Sequence, residues 1–255
     1  MNLITDIFLN RKNLIVNLLI FLSLPIYIII RERFIDFSNV YYCIFFTCLY
    51  FSVLFQKAHI YIGKTTAKQK LFNYVIIPFS VPVLFNVIVN FVTSYIIKDQ
   101  NPQELPSAIN SNELFLDLIS DFLAGSEEIW RFAAINVICL MLSSLALKRN
   151  VILTIAVILS SFLFGWLHTF NYTVGWFDYN ITITLMILGL CFGLLFIITK
   201  NIWTVIITHI MFDVSTSLSL YNMNLILIWR LASLLILGII GFYYLEKTVK
   251  RLFKR

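Results

Sequence analysis

Eight long apolar stretches, joined by short polar or charged segments, limit what this chain can fold into. They run over residues 13–30, 40–55, 71–97, 127–147, 151–168, 181–199, 202–221 and 225–245. A hydrocarbon core is crossed by roughly 20 helical residues. Within it, backbone polar groups must be satisfied inside the segment, which leaves helices or closed barrels. Stretches of this length read as helices. The second is short but aromatic-rich, and the third is long enough to tilt, with Pro78 and Pro82 placed to kink it. The chain is 60% hydrophobic and 13% charged, with a mean hydropathy of +0.89. A soluble domain is nearer half apolar and about a quarter charged. The expected fold class is therefore all-α, a polytopic membrane helical bundle of about eight transmembrane helices. It forms a single integral membrane domain over residues 1–255, with no soluble domain, repeat or low-complexity segment.

The first apolar stretch is flanked by charge at both ends and has no small-residue cleavage site, so it reads as a retained span. The net charge of +6 would suit nucleic acid only if it were clustered, and it is not. With both termini inside, fourteen basic residues fall on inner segments, against Arg31, Arg33 and Lys98 outside. That is the positive-inside pattern of a cytoplasmic N- and C-terminus, and it leaves no role for nucleic acid as a partner. The loop 169–180 carries Tyr172, Trp176, Phe177 and Tyr179, as an interfacial aromatic belt does. Cys43, Cys48, Cys139 and Cys191 all lie in apolar runs without a CxxC pair and read as small buried hydrophobes. His59 sits in a basic loop and reads as a surface residue. Arg230 could snorkel to the interface or pair with Asp213, and snorkelling is the favoured expectation.

Once loop charges are set aside, three motifs remain inside apolar segments: Glu127-Glu128-Ile129-Trp130-Arg131, Phe164-Gly165-Trp166-Leu167-His168 and His209-Ile210-Met211-Phe212-Asp213. An ionisable group at membrane depth costs about 2.5–3.5 kcal/mol on insertion scales, so such residues mark function by default. A blander reading has Ser126 cap the helix and the two glutamates complement its dipole. That reading leaves Arg131 unexplained. Just upstream, the stretch 114–123 is apolar on one face, with Asp117, Ser120 and Asp121 on the other. It forms either an interfacial helix or the first section of the fourth span. Glu127 and Glu128 are four and three residues from Arg131, so either could pair with it, and His209 and Asp213 are also four apart. The fourth and fifth spans are antiparallel neighbours, so Glu127 and His168 lie at one membrane face. His209 and Asp213 can reach the same place from the seventh span. Phe164 and Trp166 read as packing residues around that place.

Two chemistries suit this set. A glutamate and a histidine can activate water for attack on a peptide carbonyl while other polar groups stabilise the oxyanion. Alternatively, Glu127, His168 and His209 could hold zinc, which itself acidifies water. There is no HExxH, G-x-S-x-G, P-loop or dinucleotide fingerprint. A transporter reading has only the prolines of the third span in its favour, and no second half mirrors them.

Read here as EExxR, FxxxH and HxxxD, in this order on successive membrane helices, the three motifs resemble the EExxxR, FxxxH and HxxxN/D of the CPBP family of CAAX proteases and bacteriocin-processing intramembrane peptidases, with the arginine one residue nearer the glutamates. The resemblance covers residues 114–221. It implies an intramembrane endopeptidase acting on a membrane-associated peptide or protein tail, with no cofactor favoured and zinc as the alternative. It further implies Glu127 as the general base assisted by His168, His209 and Asp213 at the oxyanion, and Glu128 and Arg131 orienting the site. Two positions depart from the commonest pattern. Asp213 stands where Asn is usual, and an ionised Asp cannot donate to an oxyanion. It must then be protonated, orient His209 or ligate a metal. Phe132 stands where Gly is frequent. Asp213 is also the feature that favours a rival reading, a non-catalytic immunity protein that captures a peptide or bacteriocin with the same fold. The Ile, Lys, Asn and Phe bias suits an AT-rich bacterial gene and thus a bacterial plasma membrane. Bacteriocin leaders, signalling-peptide precursors or membrane-protein tails are then the expected substrates.

Overall fold

The computed structural model describes residues 14–33, 47–48, 50, 66–97, 111–169, 177–221 and 223–252. The second expected span is almost entirely outside these residues, as are Cys43, His59, Tyr172 and Trp176. All the described elements are helices: α1 (Leu14–Arg33), α2 (residues 67–97), α3 (Ser111–Ala124), α4 (Glu127–Leu142), α5 (Arg149–His168), α6 (Tyr179–Thr199), α7 (Ile202–Tyr221) and α8 (Met223–Leu252). By length and composition, five of them can cross a membrane: α2, α5, α6, α7 and α8. The protein is thus a helical membrane bundle. Of the eight expected spans, the first holds a shorter apolar run, Leu14–Ile26, and the fourth is the 16-residue α4.

Helix α4 stops five residues short of its expected end because Ser143 and Ser144 turn their hydroxyls back onto the carbonyls of Leu140 (2.6 Å) and Met141 (3.0 Å). Such local bonds compete with continuation of the helix. At the other end, the turn at Gly125 and Ser126 separates α3 from α4. Residues 114–123 therefore belong to a separate helix, not to the start of the fourth span. A side chain at position 125 would collide with Ile210 and crowd Ile206, so glycine lets this turn press against α7. Ser126 does not cap α4; its hydroxyl pairs with that of Thr47 at 3.1 Å.

Helix α4 is central, packed between α1 and α5 and touching α7. Residues 128–137 are all buried, which is the signature of a helix enclosed on every side. Two polar ties hold α1 to it: Trp130 Nε1 donates to the Phe21 carbonyl at 3.0 Å, and Asn17 donates to Asn136 at 3.1 Å. The α5–α6 seam is close-packed through small residues. Gly165 lies against the backbone of Thr182 and Met186, Gly189 against Ser161, and Gly193 against Val157. Without a hydrophobic force between helices in lipid, such small-residue contacts are what let membrane helices associate closely.

Helix α2 is continuous but widens to π geometry over Phe72–Ile76, where the Ile77 amide reaches back five residues to Phe72. Pro78 follows directly and has no amide to continue the ladder. Further along, the Phe79 carbonyl, in the turn loosened by Pro82, accepts from Trp229 (2.8 Å) and Ser233 (3.0 Å) of α8. Two more bonds tie α2 to α7 and the joint before it, Asn201 to Tyr74 at 2.9 Å and Asn86 to Ser215 at 3.2 Å. Outward faces carry exposed apolar residues throughout, including Leu84, Phe115, Leu194 and Leu234, as a lipid-facing surface requires. Arg230 is exposed on α8.

Candidate active site

The residues of the three motifs form two tiers. The inner tier is closed. Glu128, Arg131 and His209 are 2%, 2% and 3% exposed. Glu128 spans both partners: one carboxylate oxygen accepts from the Arg131 guanidinium and the other from His209 Nδ1 at 2.9 Å. Of the two glutamates that could have paired with Arg131, it is therefore Glu128 that bonds it. Arg131 also donates to the Gly189 carbonyl of α6. Its guanidinium carbon lies 5.5 Å from the Phe192 ring centre and 5.8 Å from that of Phe164. A buried ion pair persists only with good geometry and further hydrogen bonds. Here Gly189, His209 and two aromatic faces supply that shell.

The outer tier is open. The Glu127 and His168 side chains are 37% and 20% exposed and meet at 3.3 Å, Oε2 to Nε2. Asp213, 24% exposed, brings Oδ2 to 3.4 Å from His209 Nε2. Both histidines are held in the same way. A backbone carbonyl can only accept, so His168 Nδ1 donates to Phe164 O at 2.7 Å and presents Nε2 to Glu127. His209 Nδ1 faces the acceptor Glu128, which turns its Nε2 towards Asp213. Each Nε2–carboxylate contact, at 3.3 and 3.4 Å, sets an imidazole nitrogen against a carboxylate oxygen. An orienting bond on the far nitrogen that fixes the tautomer is the usual means of aiming a histidine.

Helix α3 extends this polar face. Asp117 accepts from Tyr221 at 2.9 Å, two turns beyond Asp213 on α7. Burial pushes the Asp121 carboxyl up to about 6; the Ser217 hydroxyl opposes the rise and nearby Asp117 adds to it. Among the described residues, no group of three or more His, Cys, Asp or Glu is placed to hold a metal ion.

Phe192 and Gly189 carry no charged or polar side chain to mark them in the sequence. They lie in α6, whose residues are apolar on all sides, so no polar stripe singles them out. The small-residue spacing Gly189-Leu190-Cys191-Phe192-Gly193 was the available signal. Phe132, in place of the more frequent glycine, is buried and packs edge-on against Phe196 at 4.9 Å.

Comparisons of the chain with curated proteins and with solved structures return no match. Over residues 122–215 the chain matches a protein family described as type II CAAX prenyl endopeptidase Rce1-like. That stretch holds Glu127, Glu128, Arg131, His168, His209 and Asp213. Over residues 122–215, then, this integral membrane chain is similar to the Rce1-like CAAX endopeptidases, and its three motifs lie within that stretch.

Proposed function

We propose that this protein is an intramembrane endopeptidase that hydrolyses a peptide bond in a membrane-associated peptide or protein tail. The reading is carried by the Glu127–His168 contact, open on the outer side and backed by a buried Glu128–Arg131–His209 unit. Glu127 takes a proton from water, and the resulting hydroxide attacks the carbonyl carbon of the scissile bond. His168 shares a proton with Glu127 and steadies its carboxylate during that step. The negative charge that forms on the carbonyl oxygen is met by the proton shared between His209 Nε2 and Asp213. The proton held at Glu127 then passes to the departing amine as the C–N bond breaks. Asp213 fits this scheme as the co-owner of a proton, a role that an ionised Asp acting as oxyanion donor could not fill.

The reading needs no metal. The zinc alternative would draw on Glu127, His168 Nε2 and His209 Nε2, since both histidines carry at Nδ1 the outer bond that metal-binding histidines use. A bacterial plasma membrane, from the Ile, Lys, Asn and Phe bias, and cytoplasmic termini with an outward-facing site, from the distribution of basic residues, belong to the same proposal.

The test uses the full chain in liposomes with peptides tethered to the bilayer and carrying a fluorophore and quencher. Wild type should cleave, and Glu127→Gln and His168→Ala should not, while all three remain folded. A Glu127→Gln variant that cleaves normally would defeat the glutamate mechanism, and loss of activity with a chelator, restored by zinc, would favour the metal reading. The Asp213–His209 contact favours one alternative, a peptide-capturing immunity protein, because it occupies the ring nitrogen an oxyanion would need. Equal protection of cells by wild type and Glu127→Gln would support that alternative.

A further inference from the structure

Two polar contacts hold the His209 ring, and they are unequal. Glu128 meets Nδ1 at 2.9 Å, while Asp213 approaches Nε2 only to 3.4 Å. The Cβ bond and the Nδ1 contact fix a line through the ring, and rocking about that line would swing Nε2 against this longer contact alone. A flat, electron-rich face against the ring resists such rocking. Phe192 supplies it. Its ring lies 4.6 Å from the imidazole, nearly parallel at 27°.

Phe192 is itself immobilised. It is fully buried, with Phe85 edge-on at 5.3 Å and Phe212 at 6.2 Å. One helical turn earlier, Gly189 gives its carbonyl to Arg131, and one residue later Gly193 packs on Val157. The same turn of α6 thus reaches both cations that hold Glu128. Arg131 Nε has no hydrogen-bond acceptor among the described residues, so aromatic faces are its remaining electron-rich neighbours.

We propose that Phe192 is a positioning residue for peptide hydrolysis: its ring is the floor on which His209 and Arg131 rest, and its π face keeps His209 Nε2 turned towards the reacting carbonyl. The proposal rests on the endopeptidase reading above. It assigns Phe192 no contact with substrate; the ring acts through His209.

The test replaces Phe192 in the full chain with 4-fluoro-, 3,5-difluoro- and 3,4,5-trifluorophenylalanine, and separately makes Phe192→Leu. Fluorine drains the ring quadrupole while leaving size and packing almost unchanged. In liposomes, kcat should fall stepwise with fluorine number, by about tenfold at the trifluoro ring and in Phe192→Leu. KM should stay within about twofold, since substrate binding is untouched. A kcat flat across the fluorine series would overturn the proposal, because simple packing would give that result. A second readout does not depend on activity. The ring-nitrogen resonances of His209 distinguish a proton-bearing nitrogen from a bare one. Wild type should show one sharp pair of ring-nitrogen signals with Nδ1 bearing its proton, and Phe192→Leu broadened signals from a ring that takes more than one orientation. Identical nitrogen spectra in the two proteins would also overturn it. If wild type cleaves nothing, the endopeptidase reading fails, and the nitrogen spectra still decide whether Phe192 positions His209.

Discussion

Two neighbouring glutamates in one motif have opposite surroundings, and substitution should separate them. Glu127→Gln changes a half-open group and should remove cleavage with little change in thermal stability. Glu128→Gln leaves Arg131 and His209 buried beside a neutral amide. Breaking a buried pair from one side costs about 3–5 kcal/mol, so this variant should lose its folded form on a thermal melt in detergent. Asp121 gives a pH-dependent counterpart. Its carboxyl is raised to about 6 by burial, so the folded protein holds a proton there that the unfolded chain has released above about pH 4. The ionised form therefore weakens the fold above pH 6, and that penalty vanishes below about pH 4. Asp121→Asn should melt higher than wild type at pH 7, with the gap closing as pH falls towards 4. The sequence alone left the pairing of glutamates with cations open. Spacings of three and four residues both place a carboxylate over Arg131, and only the rotation of α4 against α7 selects Glu128.

Among the helices, the α5–α6 seam has the least room. At Gly165 a new Cβ would strike the Thr182 carbonyl and the Met186 amide, which are backbone and cannot step aside. At Gly193 it would meet only a methyl of Val157. Gly165→Ala should therefore lower the thermal midpoint more than Gly193→Ala, within the about 1–3 kcal/mol typical of overpacking. Helix positions were largely legible from apolar run length. Residues 202–221 were expected as a span and are α7, and α5 differs by two residues at its start. Ends set by polar side chains were not. The serines after Leu142 shorten α4, and α8 continues to Leu252 through a basic tail that suits a helix C-terminus. The break at Gly125 was a genuine ambiguity, since an amphipathic segment can lead into a span or lie beside it.

At the scale of the whole molecule, the distribution of basic residues makes a prediction about sidedness. Leu145, in the joint between α4 and α5, and Phe177, before α6, are 51% and 52% exposed. Cysteines placed singly at these positions, in a background without Cys43, Cys48, Cys139 and Cys191, should react with a membrane-impermeant maleimide from opposite faces. Position 177 should react from outside and position 145 only in inverted vesicles; the reverse pattern would turn the proposed site towards the cytoplasm. The meeting of the three motifs followed from antiparallel neighbours and helix order. The aromatic floor beneath them did not, because a helix that is apolar all round gives no sign of which face it turns inward.

The Glu128–Arg131 pair also bears on how the protein is made. Its two charges sit one turn apart on the same short helix, so each reaches the bilayer with its counter-ion already beside it. An isolated charge would add about 2.5–3.5 kcal/mol to the insertion of α4, whereas the pair enters nearly neutral, before the ribosome has made His209. The site's buried electrostatics therefore double as a passport through the insertion machinery. Loss of Arg131 should then be felt first as α4 failing to enter the membrane, upstream of any effect on chemistry.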